Sequence, residues 1–280
     1  MIKPVFLLLV AMISIQSGAA FAKKLFPTLG AAGTTSLRLF LAAMILWIIW
    51  KPWKFTYTAQ DLKKLFLYGA SLGFMNLLFY FAIERIPLGV AVAFEFTGPL
   101  AIAVLNSKKH VDYLWALLAA IGIYLLLPVS GSSDLDPVGI LFALGAGLCW
   151  ALYILFGQKA GNNLHGGLAS TIGMTFATVL IVPFGLSGAG EKLFDPTLLP
   201  LGLGVAIFSS ALPYSLEMMA LKSLSTQTFG VLMSLEPAIA AIAGLIFLSE
   251  QLLLLQWLAI FLIIISSLGS SLSNPAKDLA

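Results

Sequence analysis

Long, uninterrupted apolar runs dominate this sequence and restrict its fold more than any other feature. A helix needs about 20 mostly apolar residues to cross the hydrocarbon core of a bilayer. Because the runs are continuous rather than alternating, they predict spanning helices and not the strands of a barrel. Short polar or Pro/Gly-containing joints separate ten candidate spans, at residues 4–22, 33–50, 65–83, 87–105, 111–128, 137–157, 167–186, 198–219, 226–248 and 252–272.

The small number of charged residues agrees with a lipid environment. Only 10% of the 280 residues are charged, whereas a soluble domain carries roughly 25%. We therefore predict an all-α integral membrane protein of ten transmembrane helices, with the lipid bilayer as its main partner. The run from Pro4 to Ala22 is long enough to span, and Lys23 and Lys24 follow at once, so we interpret it as a retained first helix rather than a signal peptide.

Basic residues predict the orientation. The joints on one side hold ten lysines, whereas those on the other hold four lysines and arginines. Because the side richer in lysine and arginine faces the cytoplasm, we expect both termini there.

The two halves of the chain resemble each other weakly. A shift of 138 residues superposes Pro99 on Pro237, and a shift of 135 superposes Lys24 on Lys159. Five spans per half is an odd number, so the halves would run through the membrane in opposite directions. We predict two inverted five-helix repeats, at residues 1–130 and 137–273, with a substrate site near the midplane where they meet.

Ionisable residues deep inside the spans are the first candidates for function. Each costs roughly 2.5–3.5 kcal/mol at the bilayer centre on insertion scales, so each should face the protein interior. Glu95 and Glu236 lie in the fourth and ninth spans, beside the helix-breaking Pro99 and Pro237. A proline frees a backbone carbonyl, and carbonyl and carboxylate together suit an ammonium group or a proton. The alternative for each glutamate is a structural ion pair or hydrogen-bond network.

Arg38 is the basic counterpart of these carboxylates. It can clamp a substrate carboxylate or neutralise a glutamate, or it can extend to the membrane surface. Carboxylates together with a guanidinium suit a zwitterion and suit a polyanion poorly.

The remaining candidates are neutral side chains or lie near a span end. Each can instead be a packing residue or an interfacial anchor, and Glu217 can simply be solvated. They are Gln16 in the first span, Asn76 and Tyr80 in the third, Trp150 in the sixth, and Tyr214 and Glu217 in the eighth, where Pro213 loosens the turn.

Several classes of function lack support. The net charge of +3 is too small to indicate nucleic acid, and one cysteine with two histidines cannot build a typical metal site. We find no phosphate-binding loop or catalytic motif, and so expect neither a cofactor nor an enzyme. A channel should show a repeated polar ring, which is absent from the spans.

Five blocks of residues carry a resemblance that covers essentially the whole chain: Pro87–Ala93, Glu95–Leu100, Leu144–Gly147, Ala211–Met218 and Met233–Pro237. They resemble the EamA-type drug/metabolite transporter superfamily, and within it the bacterial inner-membrane exporters of threonine and homoserine.

The resemblance implies ten helices with cytoplasmic termini and amino-acid efflux driven by the proton gradient. We accordingly expect an inner-membrane antiporter that works by alternating access, with an amino acid and protons as its partners. Export of drugs or other metabolites is the alternative, and the oligomeric state stays open.

Overall fold

A computed structural model describes residues 2–105, 111–126, 135–161, 166–213, 216 and 232–273. These residues form helices and no strand. The helices are α1 (Ile2–Ala22), α2 (Phe26–Trp50), α3 (Ala59–Ile83), α4 (Leu88–Glu95), α5 (Thr97–Leu105), α6 (Val111–Leu126), α7 (Pro137–Gly161), α8 (Gly166–Ala189), α9 (Leu199–Ala206), α10 (Glu236–Leu248) and α11 (Leu254–Ser273).

Four helical stretches of the described residues are long and apolar enough to cross a membrane. They are Val5–Trp50, Ala59–Ile83, Pro137–Gly157 and Gly167–Phe194. The first is 46 residues long and contains both α1 and α2. Five shorter apolar helices accompany them, at Leu88–Ile102, Tyr113–Leu125, Pro196–Ala211, Glu236–Leu248 and Leu254–Ser266.

The 46-residue stretch is not one straight helix. A 3₁₀ turn at Lys23–Leu25 joins α1 to α2, and Gly30 in α2 has φ +65° and ψ 174°. Glycine tolerates this left-handed φ because it has no Cβ atom. The Glu84 carboxylate accepts a hydrogen bond from the Ala31 backbone N–H at 3.2 Å, so it caps the part of α2 that follows the break.

Three predicted spans are interrupted. The span at 87–105 breaks at Phe96 into α4 and α5, with Pro99 in the first turn of α5. The span at 198–219 changes from α-helix to π-helix at Ile207–Ala211. In the span at 226–248, the described residues begin at 232, and α10 begins only at Glu236, with Pro237 in its first turn. A proline suits a first helical turn, where its missing N–H would have no partner in any case.

Close helix contacts assemble these elements. The principal pairs are α2 with α8, α3 with α7 and α8, α4 with α10, α6 with α11, and α1 with both α10 and the π-helical segment. Small residues allow the α3–α8 approach: a Cβ atom on Gly73 would lie 3.2 Å from the Ala177 Cα, and Gly69 packs directly on Gly173. Gly69 and Gly73 thus form a Gly-x-x-x-Gly contact, in which small residues let two helix backbones approach closely. Large apolar side chains such as Leu141 and Leu148 lie on the outer surface.

Candidate functional site

Arg38 is buried in the middle of the helical bundle and is only 3% exposed. Its guanidinium donates to the Ser209 Oγ at 3.1 Å and to Asn76 Oδ1, and it lies 4.7 Å from the centroid of the Tyr80 ring. Within the described part of the chain, no carboxylate forms an ion pair with it. The structure thus excludes extension to the membrane surface, and it leaves a buried cation held only by neutral and aromatic groups.

Glu236 is a second buried charged residue of the bundle. It is 6% exposed, and its Oε1 accepts a hydrogen bond of 2.9 Å from the Gln16 side-chain amide. The two residues are 220 positions apart, and they meet because α1 packs on α10. Glu236 is also the first residue of α10, where the helix dipole favours a negative charge.

Glu95 completes the charged set as the last residue of α4 and is 7% exposed. It lies within electrostatic range of both Glu236 and Arg38, and its carboxylate forms no hydrogen bond with the described residues. Its backbone carbonyl lies against Gly147 of α7, where an added Cβ atom would come within 2.6 Å. The neighbouring Phe96 packs edge-to-face on Trp150, with centroids 5.6 Å apart, so Trp150 lies beside the break between α4 and α5.

Five buried polar side-chain atoms have no hydrogen-bond partner within the described residues. They are Gln16 Oε1, Arg38 Nε, Tyr80 Oη, Ser210 Oγ and Glu236 Oε2. Burying a polar atom without a partner costs roughly 1–3 kcal/mol. The unpaired atoms therefore mark the place where a polar ligand or water would be stabilised most.

The structure brings together seven of the nine predicted ligand or coupling residues. Arg38, Asn76 and Tyr80 form one group, Gln16 and Glu236 form a second, and Glu95 with Trp150 lies at the helix break. Tyr214 and Glu217 fall outside the described residues. Pro213 is described and buried, and among the described residues no cluster of potential metal ligands is found.

Sequence reasoning missed the contribution of the π-helical segment. Ser209 is fully buried; its hydroxyl accepts from Arg38 and donates to the Val205 carbonyl at 2.6 Å. Ser210 carries one of the unpaired hydroxyls. A serine pair in an apolar span close to Pro213 was the available signal, and π-helical turns occur frequently at functional sites.

An apolar groove elsewhere on the molecule has a different character. It lies between α1 and α9 and is lined by residues that include Phe21, Pro200 and Phe208. Because it contains none of the buried charged groups, it is not the candidate site.

Comparison with known proteins places the chain among transporters. Residues 137–272 match the EamA-like transporter family. The threonine/homoserine exporter RhtA of Escherichia coli K12 is 52% identical over 271 residues, which cover 96% of this chain and 92% of that protein. RhtA of Salmonella typhimurium LT2 is 51% identical over the same shares.

More distant relatives support the same fold. An uncharacterized transporter of Clostridium kluyveri is 27% identical, over 78% of each chain. One solved crystal structure superposes with a TM-score of 0.61 at 15% identity and covers 96% of this chain and 98% of its own; this likeness concerns the fold alone. The identity to the two exporters over nearly the whole chain is decisive, and the chain therefore belongs to the EamA-like transporter family.

Proposed function

We propose that this protein exports threonine, homoserine or similar small amino acids from the bacterial cytoplasm across the inner membrane. The observation that carries the proposal is the set of unpaired buried polar atoms on Gln16, Arg38, Tyr80, Ser210 and Glu236. An amino acid at neutral pH presents a carboxylate, which needs donors, and an ammonium group, which needs acceptors. The site offers both kinds of partner.

The two ends of the zwitterion have distinct partners in this proposal. Arg38 binds the substrate carboxylate through its free Nε–H, and no described carboxylate forms an ion pair with it. The ammonium group lies between Gln16 Oε1 and Glu236 Oε2, which are both free acceptors. Charge-assisted hydrogen bonds of this kind are roughly twice as strong as those between neutral groups. The relatives' printed name, threonine/homoserine exporter, supports the same substrate class.

Alternating access of two inverted repeats is the mechanism we propose, with residues 1–130 and 137–273 as the halves. The helix contacts support it. If α4 with α5 is the fourth span, then α2 with α8, α4 with α10, and α6 with α11 each pair a predicted span with its repeat equivalent. The contact of α1 with α10 is likewise matched by the contact of α7 with α4. A pseudo-twofold axis in the membrane plane would produce such a pattern.

Proton entry is the proposed driving force. Glu95 and Glu236 are buried within electrostatic range of each other, and two like charges in a low-dielectric site repel strongly. A proton or the substrate ammonium offsets this repulsion. Exchange of one for the other couples export to proton entry, which makes the protein an antiporter.

Binding of labelled threonine to purified Arg38→Lys protein tests the site assignment. Lysine keeps the positive charge but lacks the planar guanidinium group. In arginine, this group donates to Ser209 and Asn76, and its Nε–H stays free for the substrate. We expect at least a tenfold loss of affinity. The matched control is Arg85→Lys, at an exposed arginine paired with Asp136, which should bind as the wild type does. Equal affinity in Arg38→Lys and the wild type would refute the assignment.

A further inference from the structure

Three of the five unpaired atoms are assigned above to the two charged groups of an amino acid. Arg38 Nε–H serves a carboxylate, and Gln16 Oε1 with Glu236 Oε2 serves an ammonium group. Two hydroxyls then remain, those of Tyr80 and Ser210. Each hydroxyl can both donate and accept a hydrogen bond, so their natural partner is another hydroxyl.

These two hydroxyls belong to the Arg38 side of the site. The Tyr80 ring lies beside the guanidinium, and its hydroxyl points towards Ser209 without reaching hydrogen-bonding geometry. Ser210 is the next residue of the π-helical segment. The Ser209 hydroxyl accepts from Arg38 and donates to the Val205 carbonyl, and it makes no hydrogen bond to the hydroxyl of Tyr80 or Ser210.

We propose that the hydroxyls of Tyr80 and Ser210 form a subsite that binds the side-chain hydroxyl of the substrate. This inference rests on the proposed function and adds a physical reason why the protein would select substrates that carry a side-chain hydroxyl. A site built to hydrogen-bond a substrate hydroxyl rejects an analogue that lacks it, because the buried polar groups of the protein are then left unpaired. The protein should therefore prefer threonine to valine, and homoserine to norvaline, although each pair has nearly the same shape.

The test is competition between labelled threonine and unlabelled valine or norvaline in proteoliposomes. The wild type should discriminate against both apolar analogues, and Tyr80→Phe and Ser210→Ala should each lose at least tenfold of this discrimination. The matched controls are Tyr68→Phe and Ser71→Ala in the same bundle. Tyr68 Oη lies near Tyr153 Oη, and Ser71 Oγ donates to the Leu67 carbonyl. Both controls should keep the wild-type discrimination.

Two results would overturn the subsite. One is a wild type that transports threonine and valine equally well. The other is an unchanged threonine-to-valine ratio in both variants. If either variant fails to fold, the other still decides the question. A wild type that transports no amino acid would instead refute the proposed function.

A second, independent observation concerns the ion pair between Lys23 and Glu250, near one membrane surface. Lys23 Nζ lies 2.6 Å from Glu250 Oε1, and Glu250 Oε2 accepts a hydrogen bond of 2.7 Å from the Leu88 backbone N–H. One carboxylate thus joins the end of α1, the start of α4 and the loop between α10 and α11. Both ionic side chains are mostly buried, at 21% and 15% exposure, so water screens the pair less than an exposed one.

From this contact we infer a latch. The Lys23–Glu250 ion pair closes the site on its own side of the membrane and opens during transport. This inference also rests on the proposed function.

Reversible cross-linking tests the latch. Cys149 is the only native cysteine, so a Cys149→Ser background carries Lys23→Cys and Glu250→Cys, joined by a bifunctional methanethiosulfonate linker. Linking should reduce threonine transport at least tenfold, and a reductant should restore it. The single-cysteine variants, treated alike, should keep transporting. Undiminished transport by fully linked protein would contradict the latch.

A charge swap tests the same ion pair without introduced cysteines, so it still decides the question if the cysteine variants are inactive. Lys23→Glu alone should lose transport, and Lys23→Glu with Glu250→Lys should regain part of it. No recovery in a folded double variant would contradict the latch, whereas a wild type without transport would refute the proposed function.

Discussion

At the scale of single residues, the sequence predicts which charged side chains are buried but not which partners they contact. The depth of Arg38, Glu95 and Glu236 in apolar runs was enough to predict buried charges, and all three are buried; their function stays a prediction. The pairing of Gln16 with Glu236 across 220 positions could not be predicted, because it depends on how α1 packs on α10. The same holds for Arg38 and Ser209, which are 171 positions apart.

Neutralising either buried glutamate should separate exchange from proton coupling. We expect Glu95→Gln or Glu236→Gln to lose most of its pH-gradient-driven threonine export, because the lost carboxylate can no longer alternate between proton and ammonium. Exchange of internal for external threonine should survive better in Glu95→Gln, because Glu236 is the proposed ligand of the substrate ammonium group. The measurement is transport in vesicles, with and without an imposed pH gradient. Full proton-dependent export in both variants would show that neither glutamate is the coupling residue.

At the scale of whole elements, proline and glycine patterns predict the positions of helix breaks better than they predict the lengths of helices. The prolines beside Glu95 and Glu236 indicated loosened backbone, and the structure ends α4 at Glu95 and begins α10 at Glu236. The π-helical turn at Ile207–Ala211 was not predicted, because the serine pair near Pro213 is a weaker signal than a proline beside a buried charge. It depends on tertiary contacts, such as the Ser14 hydroxyl donating to the Phe208 carbonyl at 2.7 Å.

The break between α4 and α5 requires a close approach of two backbones. Gly98 packs against the backbone of Gly147, so a Cβ atom at position 98 would collide with it. Gly98→Ala should destabilise the protein by about 1–3 kcal/mol through overpacking and impair transport. Gly204→Ala is the matched control, because no atom lies within 4 Å of the added Cβ, and it should be neutral or stabilising. Thermal unfolding in detergent measures both, and equal midpoints would contradict this account of the break.

The start of α7 supplies a pH-dependent contact outside the membrane. The hydrogen bond from Arg85 to Asp136, with that from the Val138 N–H, holds the pKa of the Asp136 carboxyl below its ordinary value. Since the folded-state pKa is depressed, this stabilisation is present above about pH 4 and is lost as pH falls through the folded-state value.

Two substitutions separate the contributions of Asp136. Asp136→Ala removes the ion pair and the cap, whereas Asp136→Asn keeps the oxygen that caps α7. We expect melting midpoints at pH 7 in the order wild type, Asn, Ala, with a smaller spread at low pH. A spread independent of pH would contradict the role of the carboxylate charge.

At the scale of the whole molecule, hydropathy alone predicted a helical membrane protein, and resemblance correctly indicated its family. Four stretches of the described residues are long enough to span, and ten spans in two inverted repeats stay a prediction that the symmetric helix contacts favour. The site was harder to predict, because its residues come from four helices and converge only in the folded bundle: Arg38 from α2, Asn76 and Tyr80 from α3, Glu95 from α4 and Glu236 from α10.

Counterflow in proteoliposomes tests the central claim, that the buried polar cluster makes this protein an amino-acid transporter. Vesicles loaded with unlabelled threonine and containing the purified wild type should accumulate labelled threonine transiently. Homoserine should compete strongly, and unrelated drugs should not. Absence of counterflow, or competition by drugs and by no amino acid, would contradict the account and would favour an exporter of other metabolites.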